Sequence, residues 1–320
     1  MYQDMPLEQL HEYRGAVPEP EDFDQFWTDT LAQARAAGGA VEVVRAQTPL
    51  RGIDVYDVTF PGFGGEPVKA WLRVPHALDA PAPAVVEFVG YGGGRGFAAE
   101  NLLFAAAGYA HLQMDTRGQG SAWSVGDTGD PWPSGPQAPG VLTKGVLDPH
   151  TYYYRRLITD AVRAVDAAAG LACVDATRVA TTGHSQGGGL ALAAGALSPL
   201  VKAVAARVPF LCDFQRAIEV TDAHPYVELT TYLGCHRDQV DAVFRTLSYV
   251  DGVNFARRAH APLHLAVGLM DEVVPPSTVF AAYNNYAAEK DLAVWRHNGH
   301  EGGGHLDELA ALELFGRVFA

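Results

Sequence analysis

The stretch Thr182-Gly183-His184-Ser185-Gln186-Gly187-Gly188 lies between a short apolar run, Arg178-Val179-Ala180-Thr181, and an Ala/Leu-rich run, Leu190-Ala191-Leu192-Ala193-Ala194. The first run reads as a buried strand and the second as a helix. A Gly-x-Ser-x-Gly therefore falls where a strand turns sharply into a helix, the pattern of a nucleophile elbow. Such a turn strains the serine, and glycines two positions to either side remove side chains that would collide. Ser185 then presents its hydroxyl at the N-terminus of the following helix, whose dipole and unpaired amides favour developing negative charge. The plainer reading is a Gly-rich turn whose serine only caps the helix.

Outward from the elbow, the chain alternates. Strand candidates are Ala84 to Val89, Ala110 to Asp115, Val179 to Gly183, Ala203 to Pro209, Leu263 to Gly268 and Leu292 to Arg296, with Ala-rich helical stretches between several of them. That is the signature of βαβ units and a parallel sheet. Before them, Val41 to Thr48, Val55 to Phe60 and Val68 to Val74 read as antiparallel strands separated by Gly-Pro turns. Counting two of these leading antiparallel runs with the six parallel ones predicts an eight-stranded, mostly parallel sheet with helices on both faces, the α/β-hydrolase fold. The whole chain, 1–320, reads as one domain. An N-terminal helical extension covers 1–40, where Phe23, Phe26 and Trp27 share one apolar face. A Pro- and Gly-rich irregular segment spans 118–152, and segments that long are usually functional or interfacial. A lid-like insertion spans 212–258.

A serine nucleophile needs a base and the base an orienting carboxylate, in the chain order Ser, acid, His for this fold. The strand Leu263 to Gly268 runs into Asp271-Glu272; Asp271 stands at its end, and Glu272 should point the other way. Three histidines compete for the base. His297 lies close to the last strand and His305 starts the closing helix, whereas His300 stands in the glycine-flanked loop between them. The oxyanion hole requires two amides. One is the N–H of Gln186, and the other, from the glycine-rich loop Val89 to Gly96, is assigned to Tyr91, whose ring forms a pocket wall.

Composition bounds the rest. With 320 residues, 48% hydrophobic, the chain can bury one large core. A net charge of −14 argues against nucleic acid or an anionic membrane as partner. Three scattered cysteines look like small core residues in a reducing compartment, and no secretory leader is visible from Met1 onward, which together suggest a cytoplasmic address. The histidines form no metal-ligand spacing, so neither metal nor cofactor is expected.

Three motifs then become specific together: Arg117-Gly118-Gln119-Gly120, Gly183-His184-Ser185-Gln186-Gly187 and His300-Glu301. With Gly90-Tyr91-Gly92, Tyr152-Tyr153-Tyr154-Arg155-Arg156 and Pro209-Phe210-Leu211-Cys212-Asp213-Phe214, the chain resembles the acetyl xylan esterase and cephalosporin C deacetylase family, carbohydrate esterase family 7. Val89 departs from the pattern, since relatives often carry His there. The resemblance implies a serine esterase acting on small acetylated sugars, xylo-oligosaccharides and cephalosporin-type compounds. It implies a homohexamer in which 118–152 is partly a subunit contact. It also implies a structural role for the motif residues Arg117, Gln119 and Glu301, the buried Arg117 guanidinium tying loops through backbone carbonyls, and an acyl pocket lined by Tyr91, Phe210 and Val273. Alternatives are a small-molecule-binding module on a hydrolase fold, or a short-chain peptidase or lipase-like hydrolase. The complete Ser-Asp-His order argues against the first. The absence of room for a propeller or large apolar lid argues against the others.

Overall fold

The computed structural model describes residues 4–320. Residues 1–3, the head of the 1–40 extension and of the stretch read for a leader, lie outside the described residues. The chain opens with helices α1 (Leu7–Glu12) and α2 (Phe23–Ala37), followed by strands β1 (Glu42–Arg45), β2 (Ile53–Pro61) and β3 (Pro67–Pro75). Alternation then begins with β4 (Ala82–Phe88), α3 (Leu103–Ala106), β5 (Ala110–Met114), α4 (Tyr153–Ala169), β6 (Val174–His184), α5 (Gln186–Leu197) and β7 (Val201–Arg207). Helices α6 (Phe214–Val220), α7 (Val227–Cys235), α8 (Val240–Ser248) and α9 (Gly252–Ala256) intervene before β8 (Leu263–Gly268), α10 (Pro276–Asn285), β9 (Lys290–Trp295) and α11 (His305–Phe319).

The strands form one sheet in the order β1-β2-β3-β5-β4-β6-β7-β8-β9, with β5 through β9 parallel and β1, β2 and β3 antiparallel. The expected eight strands are nine, because three antiparallel strands lead rather than two. The additional one is β1, whose four residues are all exposed. It lies within the run Val41 to Thr48 read as a strand, and is a sheet edge held through backbone pairing to β2. On one face of the sheet, Leu157 and Ile158 of α4 and Leu190 of α5 pack with Ala84, Val86 and Val179 in the main core. On the other, Leu314 and Phe315 of α11 and Phe104 of α3 cover Val85, Ala180, Ala203 and Ala205. The two covered faces explain why the parallel strands read as continuous apolar runs. Among the described residues, no helix is long and apolar enough to cross a membrane.

Candidate active site

Ser185 joins β6 to α5 with φ 57° and ψ −119°, a left-side conformation that costs a non-glycine residue strain. A Cβ on Gly183 would overlap the Gly187 backbone, and one on Gly187 would overlap the Phe88 carbonyl. Only glycine fits at either place. The strained turn is clamped from β7: the Ser185 N–H donates to the Arg207 carbonyl at 2.9 Å, and the Phe210 N–H donates to the Ser185 carbonyl at 3.0 Å.

Asp271 follows β8 and is buried. Its Oδ1 accepts the Val273 and Val274 N–H groups, each at 2.8 Å, which fixes the carboxylate plane. Its Oδ2 lies 2.8 Å from His300 Nδ1, and His300 Nε2 lies 3.0 Å from Ser185 Oγ. The order of the contacts puts the imidazole proton on Nδ1 and leaves Nε2 to accept from the serine. Of the three histidines weighed, only His300 reaches the serine. His297 is exposed after β9, and His305 opens α11 beside Glu308. Glu301 accepts from Asn298 Nδ2 at 2.9 Å and from the Gly299 N–H at 3.2 Å, bracing the loop that carries His300. The Asn298 bond holds its carboxyl below the usual range.

His184 turns its ring toward His300. It lines the site, with its ring edge-on to His300 at 4.9 Å and its Nε2–H donating to the His300 carbonyl at 2.7 Å. Burial pushes the His184 imidazole down to about 4, and the neighbouring His300 and Arg207 charges act in the same direction. It is neutral at pH 7.

The loop after β4 passes directly against the elbow, with Gly90 next to His184 and Ser185. Gln186 ties the two together: its Nε2 donates to the Val89 carbonyl at 3.2 Å, while its Oε1 accepts from Gln119 at 3.0 Å and from Tyr154 at 2.9 Å. Gln119 also accepts the Gly92 N–H at 2.6 Å. The Gln186 amide heads α5, where no helical carbonyl precedes it, and Tyr91 lies one residue past Gly90 on the facing loop. The Tyr91 hydroxyl donates to Glu228 Oε1 at 2.6 Å and accepts the Val141 N–H at 2.7 Å. Glu228, on α7, is a residue the sequence did not single out; its only signal was a carboxylate inside an apolar helix.

Tyr91, Trp123, His224, Pro225 and Val273 wall a cavity of about 450 Å3 that opens onto Ser185 and His300. Phe210 is not among its walls. Fully buried, it stands behind Tyr91, ring to ring at 6.2 Å, and against Tyr226 at 4.6 Å. The turn after β7 aims it into the core. Arg117 is buried as expected, but its partners are carboxylates rather than backbone carbonyls. Its guanidinium forks onto Asp160, with Nη2 to Oδ1 at 2.8 Å, and reaches Glu66 at 2.6 Å. Asp130 joins the same cluster through Arg156 at 2.7 Å and Lys144 at 2.6 Å, anchoring the 118–152 segment. Among the described residues, no group of His, Cys, Asp or Glu is disposed to hold a metal.

A mostly parallel sheet with a serine elbow at its C-terminal rim defines an α/β-hydrolase. Residues 1–315 match the acetyl xylan esterase (AXE1) family. The chain belongs to that family, which makes it a carboxylic ester hydrolase. A solved acetyl xylan esterase from Paenibacillus sp. R4 is 38% identical, with a TM-score of 0.93 over 98% of this chain and 100% of that one. Acetyl xylan esterase 1 from Thermoanaerobacterium sp. JW/SL YS485 is 35% identical, with a TM-score of 0.90 over 97% and 99%. The acetyl esterase Axe7A of Xylanibacter ruminicola is 28% identical over an alignment of 297 residues that covers 88% of this chain but 63% of that protein, so this chain spans less than two thirds of its length.

Proposed function

We propose that the chain hydrolyses acetyl esters of small acetylated sugars and xylo-oligosaccharides through an acyl-enzyme. The hydrogen-bonded file from Asp271 through His300 to Ser185 carries this reading. Ser185 Oγ attacks the acetyl carbonyl carbon while His300 Nε2 takes its proton. Asp271 holds the imidazole in the Nδ1–H tautomer and balances the imidazolium. The tetrahedral oxyanion rests on the Gln186 and Tyr91 amides. As it collapses, the carbon–oxygen bond to the sugar breaks and His300 returns the proton to the leaving alcohol. Water, deprotonated by the same imidazole, then attacks the acetyl-serine; the bond to Ser185 Oγ breaks, His300 returns the proton to that oxygen, and acetate departs. The printed names of the 38% and 35% identical relatives support acetylated xylan fragments as the substrate class.

The test is Ser185→Ala against p-nitrophenyl acetate. Turnover should fall by about 10⁴-fold or more, with binding and the oxyanion amides supplying what remains. Turnover within a few-fold of the parent would remove Ser185 from the chemistry.

A further inference from the structure

Side chains on one face of the sheet pass from apolar to polar as the strands approach the catalytic rim. Val85 and Ala205 lie under α11 and α3, and two residues further along the same strands, on the same face, stand Glu87 and Arg207. Gln113 of β5 is paired beside Glu87. A second cavity, of about 420 Å3, opens over these residues. It adjoins the catalytic cavity, and Gly90, Trp123 and His184 are walls of both.

The second cavity is built from groups that are costly to bury. The Glu87 and Arg207 side chains are only 14% and 12% exposed. Glu87 accepts from His111 Nε2 at 2.9 Å, and Arg207 Nη1 donates to Glu308 at 2.8 Å, yet Arg207 Nε is buried with no partner. Burial pushes the Glu87 carboxyl up, but His111 and Arg207 outweigh it and hold it below the usual range. Three carboxylates, Glu87, Glu100 and Glu308, line this space with the Arg207 guanidinium. The buried Arg73 guanidinium, bonded to Gln113 from behind the wall, acts on Glu87 and Glu100, leaving the surroundings net negative by one charge. Trp123 forms the partition. Its Nε1–H donates to the Tyr91 carbonyl at 2.8 Å and its indole lies on Gly93, while 65% of the residue stays exposed.

We propose that this second cavity receives the alcohol half of the ester, with Trp123 as the platform and Glu87, Arg207 and Glu308 as a hydrogen-bonding wall, and that it accepts neutral polyhydroxy or cationic alcohols and turns away anionic ones. The inference rests on the acyl-enzyme reading, since the shared walls put the cavity next to the bond that Ser185 breaks. A net negative wall in a partly closed space attracts ammonium groups and repels carboxylates, while its donors and acceptors suit sugar hydroxyls. Carboxylate-bearing cephalosporin-type acetates then form the poorer substrate class.

The experiment compares kcat/KM for three acetates of one pyranose ring, each acetylated at O3: methyl glucoside, its 6-amino-6-deoxy analogue and its glucuronate. Each value is divided by the ester's rate of hydroxide hydrolysis, so that intrinsic reactivity drops out. The cationic and neutral esters should exceed the anionic one by about tenfold at low ionic strength, and the gap should narrow in about 1 M salt. In Glu100→Gln/Glu308→Gln the gap should shrink several-fold. The parent enzyme's ratios decide the matter even if that variant folds poorly. Ser185-dependent turnover with equal rates for all three esters, or a preference for the anion, overturns the subsite while leaving the triad standing. Turnover of all three that survives Ser185→Ala overturns both.

Discussion

Asp271 and Asp251 are buried aspartates that use the backbone in the same way and differ in what stands opposite them. Asp271 accepts two amides ahead of it and turns its other oxygen to the His300 imidazole. Asp251 accepts the Val253 N–H at 2.9 Å, and the Asp213 and Phe214 N–H groups at 3.1 and 3.3 Å, all from backbone. It lies at the floor of a separate cavity of about 220 Å3 between the N-terminal extension and the inserted helices. Burial pushes Asp251 up to about 7, and the nearby Asp213 carboxylate adds to the rise. Three amide donors leave this buried carboxyl only partly ionised at neutral pH. One aspartate is placed to steady a proton in transit, and the other shares its own with solvent near neutral pH.

The largest test of that contrast is Asp271→Asn beside Asp251→Asn. Loss of the orienting carboxylate should lower kcat on p-nitrophenyl acetate by about 10⁴-fold, since the amide favours the wrong imidazole tautomer. Asp251→Asn should leave kcat essentially unchanged. Equal losses would erase the distinction.

A smaller effect concerns pH and stability. Asp251 titrates near 7 when folded, against 3.8 otherwise, so its contribution is complete below about 4 and is lost as pH rises toward 7, on the order of 4 kcal/mol. His184 runs the opposite way. At about 4 folded against 6.5 otherwise, its contribution is complete above about 6.5 and is lost as pH falls toward 4. Urea unfolding across that window should show Asp251→Asn gaining on the parent as pH rises and His184→Gln gaining as pH falls. Shifts of the same sign in both variants would contradict the assigned environments.

The smallest expected effect is at the pocket wall. Glu228→Gln leaves the Tyr91 hydroxyl a neutral acceptor in place of a charged one, and kcat/KM for acetate esters should drop about threefold to tenfold. An unchanged value would show that packing alone holds Tyr91.

Much of the rim was legible because its signals are local or ordered along the chain. The elbow is set by sterics within a few residues, the Asp271 turn by its own next amides, and His300 by the glycines around it. What escaped depends on partners far away. Phe210 could not be told from a pocket wall without knowing which way the turn after β7 faces. Nothing near Glu228 in the chain reveals that Tyr91, 137 residues earlier, bonds to it. β1 was legible as the run Val41 to Thr48, but not that it joins the sheet as a ninth strand, because an exposed edge strand carries no buried face that ties it to the core.

The sequence by itself determined the strand-to-helix alternation, the strained serine and the order of the three chemical groups, since each follows from short-range sterics and periodicity. Only the tertiary structure decided that Arg117 meets carboxylates, that His184 turns toward His300, and that a polar cavity opens beside the catalytic one. Those outcomes depend on which face of a sheet each strand presents to its neighbours, and pairing across distant segments sets that.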